Sequence, residues 1–218
     1  MKRSLRILAV PCALLMVSGC AYQAGYNPTY IPDEEPEYIS ADEVLLVMPD
    51  EVEDFVYSGS PATFTGSATT LTIPLGTILK QVSEEILEDR FSGRIGFANA
   101  FVADNDYRLA LAPTITRFEY RYSQLKNLGF AITPEVELDL AVKVLDGAGE
   151  TIFQQQYESG RVSGDTYVLS GSPSEKINQT IHRTLYDLLE KSFADARPAV
   201  LAALGLPADA RLASSPTD

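Results

Sequence analysis

His182 is the only histidine in the chain, so any serine, histidine and acid relay would have to run through it. It falls one residue after the apolar position Ile181 in a stretch with helical spacing, which reads as a surface or boundary position at the edge of a buried stripe. The serine clusters at 58–60 and 170–172 lack the glycine flanks of a nucleophile elbow. No glycine pattern matches a phosphate loop or a dinucleotide turn. Asp50, Glu51, Glu53 and Asp54 supply hard oxygen ligands, but without the alternating spacing and central glycine of a calcium loop they read as a solvated acidic turn. Cysteine and histidine are too few for a thiolate or imidazole metal centre. Asn178 and Thr180 form a glycosylation-like triplet inside an expected helix, where the backbone is not offered to a transferase. Arg108, Arg117, Arg121, Lys126 and Lys143 lie along expected strands, as a local basic strip for a partner or as the polar face of a sheet. The expectation is a non-enzyme with no metal and no cofactor.

The two cysteines carry the sharper signal. Lys2, Arg3 and Arg6 make a basic start, Ile7 to Val17 is an almost unbroken apolar run, and the small residues Ser18 and Gly19 precede Cys20. This is the order of a secretory signal peptide. The run is shorter than the roughly 20 apolar residues a spanning helix needs, and Pro11 interrupts it. Val17, Ser18, Gly19 and Cys20 resemble the lipobox of bacterial lipoproteins. That resemblance implies removal of residues 1–19, acylation (palmitate among the chains) of Cys20 as the first mature residue, and anchoring to a membrane. Each buried methylene contributes about 0.8 kcal/mol, so two or three acyl chains hold where one binds reversibly. Ala21 after the cysteine, in place of aspartate, resembles lipoproteins sent to the outer membrane and facing the periplasm. Cys12 leaves with the signal peptide, so no disulfide is expected and the domain must rely on its core.

Composition narrows the partners. Lysine and arginine number 17 against 30 aspartates and glutamates, a formal charge of −13. Removing Lys2, Arg3 and Arg6 leaves 14 against 30, or −16. Such a field repels phosphates, which argues against nucleic acid and against a broad grip on anionic headgroups.

Positioning elements follow from periodicity. Residues 20–42 read as the lipidated N-terminus and a flexible tether. Pro28, Pro32 and Pro36 break it, Asp33, Glu34, Glu35 and Glu37 surround them, and its span averages about 25 Å. Tyr22, Tyr26, Tyr30 and Tyr38 punctuate this segment and read as parts of a solvated linker. Residues 43–204 read as one domain. Val44 to Met48 is a continuous apolar run, the mark of a strand buried on both faces. Asp50 to Tyr57 is ambiguous and Ser58 to Thr70 reads as a loop. A short strand at Leu71 to Ile73 precedes a helix opened by Pro74, with Leu75, Ile78, Leu79, Val82 and Ile86 on one face. Gly93 and Gly96 mark a turn, and Ala98 to Asp106 carries no clear period. Tyr107 to Tyr122 alternates, with Leu109, Leu111, Pro113 and Ile115 on one parity and Phe118, Tyr120 and Tyr122 on the other, so a bulge is expected near Thr116 and Arg117. Val136 to Val144 alternates cleanly, Asp146 to Gly149 turns, and Thr151 to Val162 returns. Ser172 and Glu175 form a capping box around Pro173, opening a helix with the stripe Ile177, Ile181, Leu185, Leu188, Leu189 and Phe193. Pro198 should end or kink it, a short helix should reach Leu204, and residues 205–218 read as a disordered tail.

The expected fold is α+β: two amphipathic helices on one face of a mainly antiparallel sheet that includes a three-stranded meander. With the lipobox, the segment from Val136 through Gly147 to the helix at Ser172 resembles YajG-like envelope lipoproteins. The function expected of such an anchored, acidic domain without a catalytic set is that of a non-enzymatic accessory or scaffold that binds another cell-envelope component, with an envelope protein as the expected partner. The alternative is a carrier for lipid or glycan, which would need an apolar cavity between helices and sheet.

Overall fold

The computed structural model describes residues 21–23, 38–40, 42–63, 70–103, 106–123, 131–168 and 173–207. Cys20, the signal peptide, Ser172 of the expected capping box, Lys126 and residues 208–218 of the expected tail lie outside the described residues. The strands are β1 (Ala21–Gln23), β2 (Val44–Val47), β3 (Tyr57–Gly59), β4 (Thr70–Ile73), β5 (Ile95–Ala98), β6 (Leu109–Ser123), β7 (Ala131–Asp146), β8 (Thr151–Ser163) and β9 (Tyr167–Val168). The helices are α1 (Asp50–Glu53), α2 (Leu75–Arg90) and α3 (Pro173–Ala203).

The domain is α+β, and its main sheet is mixed, with parallel pairs at one edge that the sequence reading did not anticipate. The order is β5-β2-β6-β7-β8, with β9 paired to the start of β7. β2 lies parallel to both β5 and β6, while β6, β7 and β8 pair antiparallel. Val44, Leu45, Leu46 and Val47 are all buried because β2 is central and covered on both sides. Gly96, expected in a turn, sits inside the edge strand β5.

α2 and α3 share one face of this sheet. Ile78, Leu79, Val82 and Ile86 of α2, Ile177, Ile181, Leu185 and Leu189 of α3, and Leu109, Leu111, Leu138, Leu140 and Val142 of the strands form one apolar cluster. A smaller cluster of Leu45, Val47, Ala110 and Leu145 covers the opposite face beneath Phe101 and Tyr107. The register of β6 on β7 slips between Ile115 and Arg117. The extra residue, Thr116, reverses parity and keeps Phe118, Tyr120 and Tyr122 on the helix side. A second slip lies in β8 near Ser159 and Gly160, where Gly160 takes φ 60°.

α3 runs through Pro198 without stopping. The carbonyl this proline leaves unpaired belongs to Ala194, and both residues face solvent, so water can replace the lost bond. The helix closes on Gly205 at φ 71°, with Gly205 N–H donating to Ala202 O (3.1 Å) and Leu206 N–H to Leu201 O (2.8 Å). This is a Schellman cap.

The described residues of the stretch 20–42, read as a tether, contact the domain in two places. Ala21–Gln23 pairs in parallel with Thr70–Thr72 at the edge of a small sheet ordered β1-β4-β3. Further along, Ile39 is buried and donates to Arg90 O at 2.7 Å, Ser40 bridges Phe91, and the Tyr38 hydroxyl bonds Ser92 Oγ at 2.8 Å.

Candidate functional site

β2 stops at Pro49, so β6 loses its neighbour beyond Leu111. Pro113 follows on β6 and has no N–H to offer the vacated side. α1 and the start of α2 fill part of this gap and leave a cleft of about 220 Å³ lined by Glu51, Val52, Phe55, Gly76, Leu79, Thr114 and Ile115. Its floor is apolar and Glu51 is its one charged lining residue. Gly76 fixes the width. A Cβ there would lie 2.2 Å from the carbonyl oxygens of both Val52 and Glu53, and the Gly76 N–H donates to Phe55 O at 2.9 Å.

On the other flank of α1 a smaller hollow of about 100 Å³ is bounded by Leu46, Met48, Glu53, Lys80, Phe97, Ala98 and Asn99. Lys80 Nζ holds Glu53 Oε1 at 2.6 Å and stands 4.9 Å from the centre of the Phe97 ring. Asn99 Nδ2 donates to Asp50 Oδ1 at 2.9 Å. The acidic turn is therefore tied into the fold, and no group of three or more histidine, cysteine, aspartate or glutamate side chains among the described residues could hold a metal ion.

Among the described residues the exposed large apolar side chains are Phe55 (38%), Val56 (49%), Phe97 (46%) and Val102 (58%). All four belong to the chain just after α1 or to β5 and the segment following it. Among the described residues β5 pairs only with β2, so it is a sheet edge whose outer backbone groups suit an added strand. Sequence reasoning missed this surface. Its residues fall in the stretches that carried no clear period, and the signal available was an isolated phenylalanine in each.

Of the two readings of the arginine and lysine cluster, the described residues show the polar face of a sheet, as a compensated ladder. Arg117 pairs with Glu137 at 2.9 Å and lies 3.9 Å from Glu119, Arg121 pairs with Glu119 and reaches Glu137 at 3.6 Å, and Arg161 lies 3.8 Å from Glu135. Alternation puts Arg117, Glu119 and Arg121 on the outer face of β6. Glu119 stands directly opposite Glu137, and the arginines on either side neutralise this like-charge pair by reaching along the strand and diagonally across it. Lys143 is exposed on the same face, whereas Arg108 lies just before β6.

His182 is buried, not at the surface. Its ring Nε2 lies 3.0 Å from Glu85 Oε2, with 3% of the side chain exposed, in a polar seam between α2 and α3. Further along the seam Arg90, also buried, pairs with Glu190 and stacks 5.4 Å from the Phe193 ring. Burial raises the Asp89 carboxyl above its ordinary range, with Arg90 opposing and Glu190, Glu85 and Glu88 adding to the rise. This seam welds two helices and gives a solvent-borne substrate no access to His182. Asn178 and Thr180 are likewise buried in α3.

The chain is thus an α+β domain with an open sheet edge and an apolar cleft beside it. No family model and no curated protein matches the sequence. Among solved structures it is similar to a Xanthomonas campestris protein of the DUF330 family, with a TM-score of 0.48 and 11% identity over 82% of this chain and 97% of the other. A Nitrosomonas europaea protein described as uncharacterized lipoprotein B aligns at a TM-score of 0.32 and 12% identity, covering 81% of this chain and 91% of its own. A Neisseria meningitidis lipoprotein aligns at 0.32 and 10%, covering 71% and 99%. At these identities and scores the likeness transfers neither an activity nor a partner. No helix among the described residues is long and apolar enough to cross a membrane.

Proposed function

We propose that this chain is a lipoprotein of the cell envelope, acylated at Cys20, held on the outer membrane and facing the periplasm, where it acts as a non-enzymatic accessory or scaffold for another envelope protein. The lipobox-like run Val17 to Cys20 supports the anchor, and Ala21 supports the outer-membrane address. The observation that carries the accessory reading is the grouping of Phe55, Val56, Phe97 and Val102 around α1 and the open edge of β5. Exposed aromatic side chains beside free strand hydrogen-bonding groups suit an extended segment of a protein partner: the edge supplies backbone bonds and the two hollows flanking α1 supply side-chain pockets. The mature charge of −16 favours a partner with a basic rim.

A photoreactive phenylalanine analogue at position 97, in the intact protein in its own membranes, should capture one envelope protein in stoichiometric yield. With the analogue kept at position 97, Phe55→Lys combined with Val102→Lys should abolish that adduct. Absence of any protein adduct, with a lipid or glycan co-purifying instead, would overturn the accessory reading. The alternative, a lipid or glycan carrier, draws on the apolar cleft. Its 220 Å³ is below the roughly 300–1,000 Å³ of ordinary ligand pockets, which ranks this reading second.

A further inference from the structure

The membrane anchor and the domain are coupled through β1. Ala21, the residue after Cys20, is already a strand residue paired with Thr70, and Tyr22 and Gln23 continue the register on Leu71 and Thr72. One peptide step, about 3.8 Å between Cα atoms, separates Ala21 from the proposed acylated residue. The chain is held again at Ile39 and Ser40, against the last turn of α2 and Phe91. Residues 24–37 therefore leave from the domain and return to it. With both of its ends held on the domain, this stretch cannot serve as a leash that lets it stand off.

The pairing also identifies which end of the domain carries the anchor. β4 lies between β1 and β3, with Leu71 opposite Gly59, so the Ala21–Thr70 end adjoins Ser60. Gly59 O accepts the Tyr120 hydroxyl at 2.9 Å, Ala62 N–H donates to Tyr120 O at 2.9 Å, and the Thr63 hydroxyl lies 3.3 Å from Tyr122 O. The anchor thus emerges beside the last residues of β6. Ser123 pairs with Thr133, and β7 runs from there to Asp146 and the turn at Gly147 to Gly149. At about 3.3 Å per residue that turn is about 40 Å from the anchored end.

Resting on the lipoprotein reading above, we propose that the domain is docked on the bilayer in one orientation, with the end formed by Ser60, Thr70 and Ser123 against the headgroups and the β7–β8 turn pointing away. The occupant of this surface is the lipid bilayer, brought there by the acyl chains and held by the β1–β4 pairing. Charge does not do it, because a mature chain of −16 is repelled by anionic headgroups. Phe97 pairs with Leu46, and Leu46 with Leu111 near the opposite end of β6, so the open β5 edge is held well above the membrane, where a periplasmic partner can reach it.

Cys20 is the only cysteine of the mature chain and its thiol would be blocked by acylation, so single labels are clean. The lipidated protein, labelled with a fluorophore at Ser60→Cys or at Ala148→Cys, is reconstituted into phosphatidylethanolamine and phosphatidylglycerol vesicles containing a lipid with a nitroxide headgroup. Quenching at position 60 should exceed that at 148 several-fold. Tyr22→Pro with Gln23→Pro, which removes strand donors from a short edge element, should bring the two labels to equal quenching while circular dichroism of the domain is unchanged. Equal quenching in the unmutated chain, with mass spectrometry showing an acylated Cys20, would overturn the docked orientation and leave the lipoprotein reading standing. An unacylated Cys20 would overturn both.

Discussion

Gly76→Ala separates two expectations of opposite sign. Gly76 is the second residue of α2, and alanine inside a helix is favoured over glycine by up to about 1 kcal/mol. The added methyl would sit 2.2 Å from two backbone carbonyl oxygens of α1. Backbone oxygens cannot swing aside as a side chain can, so α1 must move by about 1 Å to restore contact distance. That movement pulls on the Gly76 N–H bond to Phe55 O, on the Lys80–Glu53 pair and on Asn99 to Asp50. Overpacking of this kind costs about 1–3 kcal/mol, which outweighs the helix gain and leaves a net loss of about 1–2 kcal/mol. For a domain of this size the midpoint of thermal unfolding should fall by about 4 °C. The assay is thermal unfolding followed by circular dichroism on the chain from residue 21 onward, with the position-97 crosslink in membranes as a second readout that should weaken as α1 shifts. A variant as stable as the parent, or more stable, would refute the reasoning and mean that α1 is not seated on α2 as described.

Two further outcomes follow from the buried polar groups. Glu190→Ala leaves the Arg90 guanidinium buried without its carboxylate and should cost about 2–3 kcal/mol in urea unfolding, while adding Arg90→Met should recover at least about 1 kcal/mol; simple additivity of the two changes would rule this account out. Burial pushes the phenols of Tyr157 and Tyr120 well above their usual range, the Asp195 carboxylate adding for Tyr157 and Tyr57 for Tyr120. The folded chain then holds these protons more tightly than the unfolded one, so their contribution to stability is complete below about pH 10 and drains away as pH rises beyond it. Urea titrations between about pH 8 and 11 should show that loss, and Tyr157→Phe should blunt it while giving up about 1 kcal/mol at pH 8 with its 3.0 Å bond to Asp195. A stability flat through pH 11 would contradict the sign.

Much of the helix-on-sheet layer was legible because single periods ran long. The alternation from Val136 to Val144 and the stripes of α2 and α3 each repeat often enough that one face must be core. The run Val44 to Met48 declared a strand covered on both sides. What it could not declare was parallel pairing, since β5 is four residues at an edge, contains Gly96, and shows neither alternation nor a buried run. His182 was misplaced for a related reason: a stripe drawn against one sheet assumes one buried face, whereas α3 is buried against both the sheet and α2. The neutral ladder was readable in principle, as Arg117, Glu119 and Arg121 already stand two apart. The cleft was not, because it exists only where β2 ends, Pro113 falls and α1 returns, three facts from separate parts of the chain.

The central place of β2 has a consequence for how the chain folds. Its partners are residues 95–98 and 109–111, so the first core strand to be synthesised stays without neighbours until some fifty or more residues have followed it. Until then Val44, Leu45, Leu46, Val47 and Met48 form an unpaired, uncharged segment of high strand propensity, the kind that self-associates. Closure of the sheet across such separations makes folding slow as well as late. The strand most protected in the finished domain is the one most in need of a chaperone during assembly.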